Sequence, residues 1–449
     1  MGSRVVGAGV VQSGGVAGGR LTDWISLGVL ASAVPRDAVD DAVAACGKGA
    51  RRAGGRLPPH VMVYFVMALA LFAEEDYEEV ITRLTQVLAG WGCWEDGWEV
   101  PTSGGICQAR QRLGPEPLAE LFGQVAVPVA GLDTAGAFLR GWRLMSVDGM
   151  EWDVPDTAAN RAFFGAKSSG AGPAVFPKAR VVTVSECGSH APVAAAVGPS
   201  AGGKGSGEQA LARRLLGALE QDWLLLADRN FYSWKDWGAA SAGGAALLWR
   251  VKSSLGLPVL EPLPDGSWRS VLISPRTGSR SPVRAELLAA AGRGADLDED
   301  QARYVRVIEY QVPDRAGNGK GERVILVTTI TDWRDAPAAD LARAYHQRWE
   351  HEVGNGQLKT YLRGPGRVLR SQSPAMAEQE IWGYLLTHYA ISALTCAAAT
   401  AAGIDPDRVK FKRTVRVIRR QAGDPAFSPS GHPAGPGPGH GRHHPAPGP

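Results

Sequence analysis

Cysteine is scarce in this chain. Cys46, Cys93, Cys107, Cys187 and Cys396 are scattered, odd in number and without zinc-ligand spacing. That excludes a disulfide framework and points to reduced thiols in a cytosolic protein. Long apolar runs are also missing. The longest, Val61–Phe72, falls well short of the ~20 residues a bilayer span needs and reads as a buried helix, so no membrane partner is expected. The opening MGSRVVGAGVVQSGG lacks the basic, apolar and cleavable succession of a secretory signal. An excess of one charge sign is absent too. With 48 Lys and Arg against 45 Asp and Glu, the net charge is +3, so a nucleic-acid surface has to be local. After Ile418 there is no Leu, Ile or Val. GHPAGPGPGHGRHHPAPGP cannot bury enough surface to fold, and His432, His440, His443 and His444 within it do not make a structured metal site. So abrupt a shift is what loss of a natural C-terminus by frameshift would leave. Residues 1–18, rich in Gly and Val, read as a flexible tail, and 421–449 as a disordered one.

What remains is the composition of a soluble globular protein, 45% hydrophobic and 21% charged over 449 residues, enough for two or three domains. Residues 19–130 carry helical patterning. Pro58 and Pro59 open a helix, Asp76 with Glu79 forms a capping-box pattern, and Thr102 or Ser103 caps SGGICQARQRL, which stops at Gly114. Arg110 and Arg112 on that short helix would suit a DNA-binding module; solvated bundle arginines explain them equally well. From Trp142 the pattern turns to strands: Arg143–Val147, Ala179–Ser185, Ala191–Val197, Asp222–Ala227 and Ala245–Lys252, with a helix at Gly207–Leu219. Strands followed by alternating helix and strand predict an α/β, ribonuclease-H-like core over 140–252 and 331–402. Between them, 253–330 reads as a β-rich insertion with a hairpin around PDRAGNGKGE. Residues 403–420, with DRVKFKRTVRVIRR, form a basic segment able to touch phosphate or simply to face water.

One stretch differs from an ordinary solvated helix. In YHQRWEHEVGNGQLK, Tyr345, Arg348, Glu352 and Lys359 fall within roughly 60° of one another on a helix of 100° per residue. A phenol, guanidinium, carboxylate and ammonium in one stripe cannot be a core face and suit a surface that meets phosphate and metal together. Glu350 lies about 200° round the helix from Glu352, away from the stripe. Gly354 and Gly356 each cost a helix about 1 kcal/mol relative to Ala, which marks either close packing or a helix break.

The spacing Tyr-x2-Arg-x3-Glu-x6-Lys resembles the Tyr-Arg-Glu-Lys signature of the insertion-element-four family of DDE transposases. LTDWISLGVL and PTSGGICQARQRLG resemble the family's N-terminal domain, and Asp148-Gly149 and Asp228-Arg229-Asn230-Phe231-Tyr232 its first and second acidic motifs. The resemblance implies a metal-binding catalytic trio of Asp148, Asp228 and Glu352, the two aspartates at strand ends. It implies DNA contacts at Tyr345, Arg348 and Lys359, where Arg suits bidentate and Lys point-charge contact with phosphate. Arg229, Arg110 and Arg112 are further DNA-binding candidates, as are Arg250 and Lys252. Among the aromatics, Trp333 and Trp349 are candidates for base stacking, though core packing accounts better for both. The implied activity is excision and insertion of the element's own ends with two Mg²⁺ ions, for which Mn²⁺ substitutes. It also implies a hairpin at the excised end. The expected partners are double-stranded DNA, both transposon ends and target, and a second copy of the chain in a synaptic complex, in the bacterial cytosol at the nucleoid. Two alternatives share these residues: a ribonuclease-H-like nuclease that cuts without joining, and an inactive or regulatory remnant of a transposase.

Overall fold

A computed structural model describes residues 28–50, 57–90, 99–165, 168–169, 172–173, 175–201, 206–278, 280–313 and 321–421. The expected tail 1–18, the expected tail 421–449 beyond its first residue, the Trp-rich loop 91–98 and the hairpin tip 314–320 lie outside the described residues.

The N-terminal region is helical, as its patterning predicts. Helices span Arg36–Ala45, Pro59–Leu71, Tyr77–Gly90, Ser103–Leu113 and Glu116–Val125. The caps are where the sequence places them: Asp76 Oδ1 accepts from the Glu79 amide at 2.8 Å, and Thr102 Oγ1 from the Gly105 amide at 3.3 Å. Pro59 opens a helix in which every later residue is buried. Such a helix needs apolar neighbours on all sides. The largest is the long helix Pro374–Ala401, which crosses it so closely that a Cβ on Gly383 would lie 2.7 Å from the Val66 carbonyl oxygen. Thr387 Oγ1 donates to the Met67 carbonyl at 2.9 Å at the same crossing. The N-terminal helices therefore share one apolar core with residues near the C-terminus, including Ile381, Leu385, Phe411, Val415 and Ile418.

Arg110 belongs to this core, not to a DNA-facing surface. Its residue is 2% exposed; Nε donates to Gln379 Oε1 at 2.9 Å, Nη2 to Ser371 Oγ at 3.2 Å and Nη1 to the Tyr77 hydroxyl. The reason is helical spacing: Ile106, Ala109, Arg110 and Leu113 form the inward face of Ser103–Leu113. Arg112 lies off that face and is exposed.

One mixed sheet forms the rest. Its order is Pro192–Pro199, Lys178–Glu186, Trp142–Asp153, Trp223–Ala227, Ala246–Arg250, Glu322–Thr328, Ala302–Val312, Trp268–Ile273 and the short Glu261–Pro262. The first three strands are antiparallel neighbours; Trp142–Asp153, Trp223–Ala227 and Ala246–Arg250 are parallel. The predicted α/β core is present. The β-rich stretch after residue 253 extends this sheet, because Glu322–Thr328 pairs antiparallel with Ala246–Arg250. Trp237 and Trp249 fill one face, edge to face at 5.3 Å between centroids. No described helix is long and apolar enough to cross a membrane.

Candidate active site

The parallel pair at the centre of the sheet positions two carboxylates. Trp223–Ala227 runs beside Trp142–Asp153 with Val147 opposite Ala227. Asp228 follows the end of its strand at once. Asp148 does not end its own: the strand continues to Asp153, because Lys178–Glu186 stays paired with it as far as Lys178. What ends at Val147 is the parallel pairing, so Asp148 and Asp228 are the first residues past it on neighbouring strands. Both are half-buried.

The stretch from Tyr345 to Lys359 lies across these strand tips. It is not one α-helix. A helix Ala338–His346 ends, a second spans Trp349–Gly356, and Gln357–Leu362 is wound as a π-helix. π-turns are rare and occur mostly as single turns inside helices. Gly354 answers the question its presence raises: a Cβ there would touch His190 Cβ at 3.6 Å, so the helix packs close to the turn after Lys178–Glu186 without breaking.

His351 fixes this helix to the sheet. It is 3% exposed, with Nδ1 2.8 Å from Ser146 Oγ and Nε2 2.8 Å from Thr183 Oγ1. Thr183 is the cross-strand partner of Asp148. Burial pulls the imidazole down to about 4, against the pull of Asp148, so it is neutral at neutral pH and acts as a structural pin. One turn on, Asn355 Nδ2 donates to Asp148 Oδ2 at 3.2 Å. His351 and Asn355 were not picked out by sequence reasoning; their i, i+4 spacing beside Glu352 was the available signal.

The remaining stripe residues are placed as follows. Tyr345 is 6% exposed and its hydroxyl has no partner; burial pushes the phenol well above its ordinary range, and Arg348 and Asp228 act on it. Arg348 lies 5.9 Å over the Tyr345 ring and reaches Glu352 Oε1 at 3.1 Å. Lys359 is half-buried, its ammonium destabilised first by burial and then by Arg363, with Asp148 and Glu151 opposing. The stretch thus runs from the Asp228 side at Tyr345 and Arg348 to the Asp148 side at Asn355 and Lys359. Glu352, between them, is exposed and turned toward Arg348. Arg229 is exposed beside Asp228. Arg250 is tied to Glu322, and Lys252 is exposed. Trp349 is 55% exposed and not a core residue; Arg348 lies 5.3 Å from its ring centroid.

Glu350 does face away from the strand tips, but into protein. Its Oε2 is 2.6 Å from His190 Nε2, and Asp407 Oδ1 is 3.1 Å from the same nitrogen. Among the described residues this is the one His and acid trio whose donor atoms all lie within 4.8 Å of one another. The oxygens of Asp148, Asp228 and Glu352 are more widely spaced. The His190 trio is complete without a metal. Burial alone would lower His190, yet hydrogen bonds to Asp407 and Glu350 outweigh it and raise it to about 9, so a proton already bridges the two carboxylates.

Asp148 and Asp228, by contrast, form no ion pair among the described residues, and the only described side-chain partner of either is Asn355 on Asp148. Hard oxygen donors left without a cation fit a divalent ion.

Comparison with known proteins identifies the family. The family described as insertion element 4 transposase N-terminal matches residues 24–123, and that described as transposase DDE domain matches 143–389. The transposase InsG for insertion sequence element IS4 of Escherichia coli strain K12 is 27% identical over 369 residues, 81% of this chain and 76% of the relative. The putative transposase InsZ of the same strain is 27% identical over 179 residues, 40% of this chain and 56% of its own. A piggyBac transposase synaptic complex with hairpin DNA aligns at 10% identity with a TM-score of 0.44, covering 90% of this chain and 81% of that one. The DDE domain carries dependence on a divalent metal and the nuclease and strand-transfer activities of its class. The chain belongs to the insertion element 4 family of DDE transposases.

Proposed function

We propose that this transposase cuts the ends of its own element and joins them to target DNA by in-line attack at phosphodiesters, with Asp148, Asp228 and Glu352 holding two Mg²⁺ ions. The observation that supports this most is the crossing of the Glu352 helix over the tips of two neighbouring strands, with Asn355 on Asp148 at 3.2 Å. Bound there, the ions would activate the attacking water or 3′-hydroxyl and stabilise the leaving oxygen.

The protein's own part is to place charge and exclude disorder. The central strands fix both aspartates by their backbones. His351 and Asn355 fix the helix that carries Glu352. Arg348 pairs with the Glu352 carboxylate at 3.1 Å and would serve as a phosphate ligand with that carboxylate turned to metal. Lys359, on the Asp148 side, and Arg229, on the Asp228 side, are phosphate contacts at either end of the scissile strand. The Tyr345 hydroxyl, buried and without a hydrogen-bond partner, is assigned as a donor to a phosphate oxygen.

A second basic surface flanks this site. Helix Phe411–Gln421 buries Phe411, Val415 and Ile418, at i, i+4 and i+7. Lys412, Arg413, Arg416 and Arg420 are left exposed and unpaired among the described residues. We assign them to the DNA backbone, together with Arg112. Two ends must be held at once, so the working form is a dimer or larger assembly. The test is Mg²⁺-dependent nicking and joining of a duplex bearing the element's end, with Mn²⁺ as substitute. Wild-type protein that binds ends but neither nicks nor joins with either metal would contradict the proposal.

A further inference from the structure

Glu208 is an acidic residue that the three-carboxylate account leaves unused. It occupies the first turn of helix Glu208–Arg213, and its side chain lies across the Asp148 strand. A Cβ built on Gly149 would fall 2.1 Å from Glu208 Oε1 and 2.9 Å from its Cδ. Gly149 has no left-handed φ, so its backbone conformation does not call for glycine. The missing side chain makes room for the Glu208 carboxylate against the strand at the residue after Asp148.

That carboxylate is half-buried and makes no hydrogen bond or ion pair among the described residues. The cation nearest in effect, Arg180, is already engaged by Glu151. Asp148 is the charge that bears most strongly on Glu208, and Asp228 also bears on it. Glu208 lies against Gly149, the residue next to Asp148, and like charges held close without a cation repel one another. A favourable place at a helix N-terminus explains a Glu in this turn; it does not explain why the side chain reaches the Asp148 strand.

We propose that Glu208 is a fourth carboxylate of the metal site, holding a divalent ion jointly with Asp148, in the space that Gly149 leaves open. This rests on the reading of Asp148 and Asp228 as metal ligands. The test is Mn²⁺ binding to the full chain without DNA, read from the electron paramagnetic resonance signal of free Mn²⁺, beside unfolding midpoints in metal-free buffer. Glu208→Gln is expected to weaken binding about tenfold or more, the range seen when residues that support a metal site are changed, with the metal-free midpoint unchanged. Gly149→Ala is expected to do the same, because the added methyl displaces the flexible carboxylate tip. The double variant should be no weaker than the more affected single one. If Asp148→Asn loses Mn²⁺ while Glu208→Gln binds like wild type, Glu208 is outside the site and the reading of Asp148 survives. If Asp148→Asn also binds like wild type, the metal lies elsewhere and both assignments fall.

Discussion

His190 Nε2 and Glu350 Oε2 are 2.6 Å apart, and Asp407 reaches the same imidazole nitrogen at 3.1 Å. This joins the turn after the second core strand to the helix that carries Glu352, and both to the short 3₁₀ turn Pro406–Arg408 that leads into the basic helix Phe411–Gln421. On the other side of the ring, Gln357 hydrogen-bonds Nδ1 at 2.9 Å. The helix that carries Glu352 is therefore held from two sides, by His351 on the sheet and by Glu350 on His190.

This node makes stability depend on pH. His190 is raised to about 9 by Asp407 and Glu350 despite its burial, well above the ~6.5 of an unfolded chain. A raised folded value means the contribution is complete below about 6.5 and lost as pH climbs through 9. The melting temperature is expected to fall between pH 7 and pH 10, and His190→Gln should flatten that part of the profile. An unchanged slope in the variant would remove His190 as the titrating group.

Glu350→Gln is expected to destabilise the chain by about 1–3 kcal/mol, the range for stripping a charged partner from a buried hydrogen bond. Denaturant unfolding reads this directly. A wild-type midpoint would show that Asp407 alone suffices for His190.

Arg110→Ala is expected to cost about 2–4 kcal/mol, since it removes the partner of Gln379 Oε1 in the core and of the part-buried Tyr77 hydroxyl. Arg112→Ala should leave the unfolding midpoint where it is and weaken end binding slightly. The reverse pattern would place Arg110 at a surface.

The sequence made most of the fold legible, because the informative patterns are local. Caps at Asp76 and Thr102, the all-apolar helix after Pro59 and the parallel strands before Asp148 and Asp228 are short-range signals. What stayed hidden depends on partners distant in sequence. Arg110 reads as a surface cation until Gln379, 269 residues away, is known to face it. Glu350 reads as a solvated residue until the turn at His190 arrives beneath it. Asp148 reads as a strand end because the antiparallel neighbour that prolongs its strand gives no signal at that position. The π-turn at Gln357–Leu362 has no spacing of its own in the sequence, so the stripe could be recognised while its helical register could not.

The basic helix offers a separate test of the DNA surface. Replacing Lys412, Arg413, Arg416 and Arg420 by Gln is expected to lower affinity for duplex DNA. Its salt dependence should flatten by about 0.9 for each phosphate no longer neutralised, with folding unaffected because none of the four is buried. Affinity and slope equal to wild type in a salt titration would assign that face to solvent.

The most direct measurement is of cleavage and binding together, in Mg²⁺, on a duplex carrying the element's end. Asp148→Asn, Asp228→Asn and Glu352→Gln keep shape and remove one charge each. Each is predicted to bind the end within a few-fold of wild type while nicking and joining drop by three orders of magnitude or more, about 4 kcal/mol at the barrier. Glu352→Gln that nicks at the wild-type rate, with Asp148→Asn inactive, would contradict the assignment of the third carboxylate to the helix crossing the strand tips.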